Sequence, residues 1–346
     1  LYTGNATNST AITNDANAGD FQPDWLWIKN RSSSGGVGPH FIVDSSRGAN
    51  KDFHMNNDEA EHTTTNAVKS FNSDGFTIDD GGTVNNNTDN YVAFQWKANG
   101  GTTTTNDASA TSIGSIDSIY QANTTAGFSI VTFTGAGGNQ TIAHGLGATP
   151  TVIIIRRRDG AADWTSYHSV LGAEKFMRLN STNAVGDQAT YFNDTSPTST
   201  VFSVGSAGDV NTSSGTHVAY CFAEKQGYSK FGSYTGNNNA DGPFVYLGFK
   251  PAWVMFKRTN GSADWGIVNI KSSPRAAGTE TNDMAYQLEP NQNAAEANQI
   301  DFWFLSNGFK LDGSGSYANG SGDTYFYMAF ADHPFVSSKG VPCTAR

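Results

Sequence analysis

The residues of this 346-residue chain that could bind an ion or a ligand are acidic and aromatic side chains in polar loops. The acidic residues precede the last predicted strand of each of three similar segments, and they are Asp79, Asp80, Asp89, Asp209, Asp312 and Asp323. Ca²⁺ takes six to eight oxygen ligands, which loops of this kind can supply. The spacing matches no EF-hand, however, and polar turns collect aspartate for conformational reasons too. We expect no cofactor, and Asp312 and Asp323 are the residues to consider if the chain binds calcium.

Aromatic side chains recur beside two further aspartates. Asp163 and Trp164 follow an alanine, and the same triplet returns with Asp264 and Trp265. An exposed tryptophan ring offers an apolar face on which a sugar can stack, whereas a buried one fills an interface or a core. The sequence leaves these interpretations open. These four residues are the candidate binding residues.

Sequence motifs typical of catalysis are absent. The chain has no His-Glu-x-x-His, no Cys-x-x-Cys, no Walker-type phosphate loop and no Gly-x-Ser-x-Gly nucleophile elbow. Its seven histidines are scattered, and none pairs with another at a spacing typical of metal ligands. We interpret them as surface or strand-end residues, and we predict no catalytic residue.

Charge and hydropathy exclude two classes of partner. The net charge is −10 and only 15% of residues are charged, so the chain lacks the positive field that phosphate backbones require. Arg156–Arg158 is the only basic run, and the matching positions of Lys29 and Lys257 indicate the end of a strand. No apolar run approaches the roughly 18–20 residues that span a bilayer. We expect neither nucleic-acid binding nor membrane insertion.

One sequence pattern occurs three times. A proline is followed by about four apolar residues and a base, and the pattern lies at 21–29, 147–156 and 248–257. Two further landmarks recur in the same order, at 73–78, 199–204 and 306–311 and then at 91–96, 217–222 and 325–330. Because the landmarks keep their order and nearly their spacing, the sequence predicts three copies of one domain.

The first residues also belong to the repeat. Tyr2–Asn5 returns as Tyr234–Asn237, which follows a predicted strand at 229–233. We therefore expect the chain to begin inside a strand of its first copy. Leu1 is not an initiator methionine, which fits a fragment or a processed form.

Residue types and turn signals predict strands throughout. The predicted strands are rich in Val, Ile, Phe, Tyr and Trp, they are bounded by Gly, Asn, Asp and Ser, and no stretch has a clean helical stripe. The repeated proline suits the start of a strand, because it cannot donate to a ladder, and the apolar run after it is typical of a central strand buried on both faces. We predict an all-β chain of three tandem antiparallel β-sandwich domains of about 100 residues each.

The predicted boundaries follow the three copies. They are 1–98 for the first sandwich, 99–118 for a polar, extended or flexible linker, 119–226 for the second sandwich, 227–336 for the third and 337–346 for a C-terminal tail. The predicted strands are Trp25–Ile28, Phe41–Val43, Gly75–Ile78, Tyr91–Trp96, Phe128–Phe133, Val152–Ile155, Val201–Val204, Val218–Phe222, Phe244–Leu247, Trp253–Phe256, Ile300–Leu305 and Thr324–Phe330.

The repeated motifs resemble a domain of uncharacterised function that recurs in proteins of marine bacteriophages, especially those of cyanobacteria. The residues that carry the resemblance are Phe21–Lys29 and Gly248–Lys257, Ser73–Phe76 and Ser306–Phe309, Tyr91–Ala98 and the terminal stretch 331–340. The second copy departs most, because it has Ala-Thr-Pro in place of Phe-x-Pro and lacks the Asp-Gly-Phe turn. The resemblance implies a tail-fibre-like or capsid-associated virion protein, and it carries over no catalytic residue.

We therefore expect a non-enzymatic structural protein located in the virion. Its expected partners are other virion proteins, symmetry-related copies of itself and host-surface glycans. The alternative is a carbohydrate-binding, lectin-like module that uses the loop aromatics. A glycan-cleaving enzyme is a third class, and it would need two carboxylates about 5–9.5 Å apart across a cleft.

Overall fold

A computed structural model of the chain describes residues 1–14, 19–32, 38–271 and 283–332. Within these ranges the regular elements are strands and four helices of four residues each. Every pairing between named strands in the described ranges is antiparallel, so the predicted all-β antiparallel class is confirmed. Among the described residues no helix is long and apolar enough to cross a membrane.

Residues 1–98 form the first copy of the repeat. Its elements are β1 (Tyr2–Thr3), β2 (Thr10–Ile12), β3 (Trp25–Asn30), β4 (Phe41–Asp44), β5 (Lys51–His54), β6 (His62–Thr63), β7 (Val68–Asn72), β8 (Gly75–Ile78), α1 (Gly82–Asn85) and β9 (Asn90–Trp96). The large sheet has the order β1-β9-β3-β4-β5-β6, and β2-β8-β7 form a smaller sheet.

The second copy follows with two additional strands at its start. Its elements are β10 (Thr104–Asn106), α2 (Ala108–Thr111), β11 (Ser118–Asn123), β12 (Phe128–Thr134), β13 (Gln140–Ala143), β14 (Val152–Arg157), β15 (Thr165–His168), β16 (Lys175–Arg178), β17 (Gly186–Asp187), α3 (Ala189–Phe192), β18 (Val201–Val204), α4 (Gly208–Asn211) and β19 (Thr216–Phe222). One sheet has the order β10-β11-β12-β19-β14-β15-β16-β17, and β13 pairs with β18.

The third copy forms a single eight-stranded sheet. Its strands are β20 (Ser229–Thr235), β21 (Asp241–Tyr246), β22 (Pro251–Arg258), β23 (Gly266–Asn269), β24 (Asp283–Leu288), β25 (Ala297–Leu305), β26 (Gly308–Asp312) and β27 (Thr324–Ala331). Their order is β20-β27-β22-β23-β24-β25-β26-β21. The predicted C-terminal tail and the terminal stretch 333–340 lie outside the described residues.

One strand order is thus used three times. β1-β9-β3-β4-β5 of the first copy corresponds to β12-β19-β14-β15-β16 of the second and to β20-β27-β22-β23-β24 of the third. In each copy the strand next to the repeated proline lies between two hydrogen-bonded neighbours, as predicted for a central strand. The twelve strands predicted from the sequence are all present.

The chain divides into two compact units. Unit 1 comprises 1–180 and 186–223 and holds the first two copies, whereas unit 2 comprises 181–185 and the chain from Glu224 onward. The three-domain layout stays a prediction: the repeated strand order fits it, but the first two copies form one unit.

Aromatic residues join the first two copies within unit 1. Successive residues of a strand point to opposite faces, so Leu26 and Ile28 of β3 enter the core of the first copy while Trp25 faces the second. The Trp25 ring stacks on Tyr220 with centroids 4.6 Å apart and on Phe128 at 5.9 Å. We call this contact the aromatic seam of unit 1. It explains why β3 is buried on both faces.

The segment predicted to be a polar linker is ordered and contains β10 and α2. Its start is held by the buried carboxylate of Asp24, which accepts hydrogen bonds from the backbone N–H groups of Ala98, Gly100 and Gly101 at 2.7–2.9 Å. A buried carboxylate is stable when donors surround it in this way. Residues 99–118 therefore belong to unit 1.

Candidate functional site

The two Ala-Asp-Trp triplets form the same corner in two copies. Asp163 accepts a hydrogen bond from Asn180 Nδ2 at 2.8 Å, and Asn180 Oδ1 accepts one from the Trp164 N–H at 3.0 Å. In the third copy Asp264 and Asn291 make the equivalent bonds, with Asn291 Oδ1 2.9 Å from the Trp265 nitrogen. The aspartate orients the amide, and the amide fixes the backbone of the tryptophan.

Both candidate tryptophan rings are buried, with 0% of each residue exposed. Trp164 packs edge-on against Phe53 at 5.3 Å, and its indole N–H donates to the His54 carbonyl at 3.1 Å. Trp265 lies edge-on to Phe326 at 6.4 Å. A sugar needs an exposed ring face, so the interpretation of these two rings as a glycan platform was wrong. Of the alternatives left open by the sequence, packing between two copies describes Trp164, and Trp265 is buried beside Phe326 of the same copy.

The calcium candidates do not form a site in the described part of the chain. Asp323 Oδ1 is 2.7 Å from Arg258 Nη2 and 3.3 Å from Asn260 Nδ2, so a guanidinium already neutralises this carboxylate. Neither Asp323 nor Asp312 belongs to a group of three potential ligands among the described residues. The acidic residue of this loop thus makes an ion pair within the third copy.

The basic residues that end the three repeated strands are buried. Lys29, Arg156 and Lys257 are each at most 1% exposed, and they lie near the ends of β3, β14 and β22, as predicted. Lys29 donates to the Gly38 carbonyl and Lys257 to the Arg258 carbonyl, both at 2.7 Å. Burial lowers the pKa of Lys29 to about 7 and that of Lys257 to about 8. Because these side chains are buried, they do not form a basic surface.

Exposed aromatic rings occur together on β21. Phe244 is 46% exposed and Tyr246 is 58% exposed, and they are two residues apart on the same face of a strand at the end of the sheet order. The Lys230 ammonium lies 5.7 Å from the centroid of the Tyr246 ring. We call Phe244 and Tyr246 the β21 aromatic pair. The tryptophan motifs of the sequence gave no indication of this exposed pair.

A second group that the sequence analysis missed lies on the hairpin of β5 and β6. Asp52 and His62 are directly opposite in the ladder, and His54 is two residues after Asp52, so all three share one face. The nearest Asp52 oxygen is 3.7 Å from His54 Nε2 and 3.5 Å from His62 Nδ1. One potential ligand atom from each residue lies within 4.8 Å of the other two.

The members of this group differ in their exposure to solvent. Asp52 is 1% exposed, whereas the side chains of His54 and His62 are 24% and 34% exposed. Burial lowers the pKa of His54, an effect that Asp52 opposes and His62 reinforces. The sequence signal that could have found the group is Asp-x-His followed, after a short loop, by a further histidine. His54 and His62 are partly exposed and lie at strand ends, as expected, and the structure brings them together although their spacing in the sequence does not match that of metal ligands.

Comparison with known families gives one result. A family model described as a domain of unknown function, DUF7483, matches residues 1–334, so the chain belongs to this family. No curated protein and no solved structure matches the chain.

Proposed function

We propose that this member of the DUF7483 family is a non-enzymatic structural component of a virion, either tail-fibre-like or capsid-associated. One observation carries the proposal: the polar and aromatic side chains common to the three copies hold the strands together. The motif-level resemblance to repeated domains of marine bacteriophage proteins supplies the setting.

A buried asparagine makes the same hydrogen bonds in each copy. In the second copy, Asn211 Oδ1 accepts from the Ala136 N–H at 3.0 Å, and its Nδ2 donates to the carbonyls of Gly138 and Gly205 at 2.7 and 2.9 Å. We call this arrangement the asparagine clamp. It ties the loop after β12 to the end of β18.

The clamp recurs with matching partners. Asn85 accepts from Asn5 and donates to Thr7 and Asp79, and Asn319 accepts from Asn237 and donates to Asn239 and Gly313, at 2.8–3.0 Å throughout. The glycine before the clamped N–H leaves space for the opposing chain. A Cβ on Gly4, Gly135 or Gly236 would lie 2.1–2.3 Å from a backbone oxygen.

A stacked ring pair accompanies each clamp. The pairs are Tyr2 with Tyr91, Phe133 with His217 and Tyr234 with Tyr325, and their centroids are 5.0–5.1 Å apart. Each pair joins directly opposite residues of neighbouring strands. Cross-strand ring pairs stabilise a sheet. The features that the copies share are therefore structural, as we expect for a protein selected for shape and rigidity.

The proposal also includes assembly of the chain with partner proteins. The expected partners are other virion proteins and symmetry-related copies, since most soluble oligomers are symmetric assemblies of identical chains. The β21 aromatic pair lies on a strand with one neighbour in the sheet order, and edge strands offer unpaired backbone groups to a partner.

The experiment is to find the chain in particles. Purified virions from the source would be analysed by mass spectrometry, and labelled antibodies against the chain would locate it by electron microscopy. We expect the chain in particles at a fixed ratio to capsid or tail proteins. Abundant chain in the infected-cell lysate together with none in washed particles would contradict the proposal.

A carbohydrate-binding module is the second candidate function, and the β21 aromatic pair is the observation that favours it. Exposed rings two residues apart can stack on successive faces of a glycan. We expect Tyr246→Ala to abolish any signal on a glycan array if this function is correct. The control is Val170→Ala, which removes an exposed apolar side chain in unit 1. Binding that survives Tyr246→Ala would exclude this surface.

A further inference from the structure

The carboxylate of Asp52 lacks a hydrogen-bond donor. The residue is 1% exposed, and neither of its side-chain oxygens has a hydrogen-bond partner among the described residues. A buried carboxylate without a donor or a cation is strongly unfavourable, and such groups are normally paired or coordinate a metal. The basic groups that reach Asp52 are the imidazoles of His54 and His62.

His62 is oriented by a second carboxylate on its far side. Glu59 Oε2 lies 3.3 Å from His62 Nε2, and Asn57 Nδ2 donates to the same oxygen at 2.6 Å. A proton on Nε2 directed at Glu59 leaves the Nδ1 lone pair directed at the Asp52 carboxylate. Two acceptors then face each other 3.5 Å apart, which a cation between them would relieve. Histidines that bind metals commonly donate their other N–H to a carboxylate in this way.

The spacing suits a small divalent ion. Tetrahedral zinc with bonds of about 2.0–2.1 Å places neighbouring ligand atoms about 3.4 Å apart. The distances from Asp52 to His54 and His62 are 3.7 and 3.5 Å, so these pairs need to close by only a few tenths of an ångström. The His54 carbonyl is fixed by the indole of Trp164, which limits how far this strand end can shift. The partly exposed imidazoles leave the solvent side open for further ligands.

The other copies show that the fold does not require this group. Strand register places Phe176, Arg178 and Gly186 of the second copy where the first has Asp52, His54 and His62. In the third copy Gln287 takes the position of Asp52. The same strands therefore form with other side chains, and among the described residues three potential ligands come together only in the first copy.

We propose that Asp52, His54 and His62 bind one divalent first-row transition-metal ion, with Glu59 as the residue that positions His62. Two imidazoles and one carboxylate are ligands that zinc and its neighbours accept. The site lies on the hairpin of the first copy, at its contact with Trp164 of the second. This assignment is independent of the proposed virion role.

The test uses the full chain, freed of metal with a chelator and then titrated with ZnCl₂ at pH 7.5 in isothermal calorimetry. We expect one zinc per chain. Asp52→Asn keeps the shape of the side chain and removes its charge, and we expect it to weaken zinc binding at least 100-fold. Glu59→Gln should weaken binding about 10- to 100-fold, the effect typical of outer carboxylates.

Asp187→Asn is the matched control, because Asp187 lies exposed on the equivalent hairpin of the second copy. We expect it to bind zinc like the wild type. If Asp52→Asn does not fold, His62→Gln provides the same test at a partly exposed position. Equal zinc affinity of the wild type and either ligand variant would overturn the proposal, as would the absence of stoichiometric binding by the wild type.

Discussion

Asn211 binds three backbone groups in two segments through one amide. Its three hydrogen bonds hold Ala136, Gly138 and Gly205, and its side chain is fully buried. Asn211→Ala would leave one N–H and two carbonyl groups without a partner, at a cost of roughly 1–3 kcal/mol for each group that stays dry. We expect the free energy of unfolding to fall by at least about 2 kcal/mol in urea denaturation.

Asn139→Ala is the control for this variant. Asn139 lies in the same loop region but is exposed, so we expect a change within about 0.5 kcal/mol. Equal stability of Asn211→Ala and Asn139→Ala would show that the clamp does not stabilise the fold.

Lys257 predicts a specific dependence of stability on pH. Burial lowers its pKa from 10.5 to about 8, so between these values the unfolded chain holds a proton that the folded chain has lost. The contribution of Lys257 to stability therefore rises with pH from about 8 to about 10.5 and is constant below pH 8.

Comparison with Lys257→Met isolates this effect, because the titration of other groups cancels in the difference. We expect the stability of the wild type relative to the variant to rise by about 1.4 kcal/mol per pH unit at most, and by roughly 2–3 kcal/mol in total. Urea denaturation of both proteins at pH 8, 9 and 10 measures it. A difference that does not vary with pH would contradict the prediction.

Among the connections between strands, the Ala-Asp-Trp corner places a tryptophan ring in the protein interior. Trp164 is buried against Phe53 and anchored through its backbone by Asn180. Trp164→Ala should lower the free energy of unfolding by about 3–5 kcal/mol, because a large cavity is left in unit 1. Tyr246→Ala, which truncates an exposed ring, is the control and should change it by less than about 0.5 kcal/mol. Thermal denaturation followed by circular dichroism measures both.

The segment 99–118 depends on Asp24 for its position. The carboxylate accepts from the N–H groups of Ala98, Gly100 and Gly101 and from the Ser45 hydroxyl. Asp24→Ala should release the start of this segment and raise its amide hydrogen exchange well above that of the wild type. Asp20→Ala, at an exposed carboxylate, should leave exchange unchanged. Unaltered protection of 99–106 in Asp24→Ala would show that β10 holds the segment without the carboxylate.

At the scale of the whole molecule, the aromatic seam makes the first two copies one unit. Trp25, Phe128, Tyr220 and Phe222 bury one another between the two copies. A protein of residues 1–223 should unfold in one cooperative transition. Residues 1–98 alone would expose Trp25 and the rest of this face, and we expect them to aggregate or to unfold at a lower temperature. Calorimetry of the two proteins measures their unfolding temperatures. Equal temperatures would contradict the prediction that the first two copies form one cooperative unit.

The repeat could be predicted from the sequence because it depends on local patterns. Each copy has a proline two residues before Trp25, Val152 or Trp253, and an apolar run follows it. Together these signals predict a central strand, since both lie within one stretch of chain. The burial of the candidate residue Trp164 depended on partners distant in sequence. Trp164 is buried because Phe53 and His54 lie against it, and the triplet Ala-Asp-Trp contains no sign of them.

The all-β class, the positions of twelve strands and the threefold pattern could be predicted from the amino-acid sequence, because strand propensity, turn residues and proline act over a few neighbouring residues. Which faces are covered and which polar groups meet depended on the folded structure. It buried Trp164 and Trp265, exposed the β21 aromatic pair and brought Asp52 against His54 and His62. Strand register and the packing of one copy on another control these contacts, because they set which side chains meet across strands and between copies.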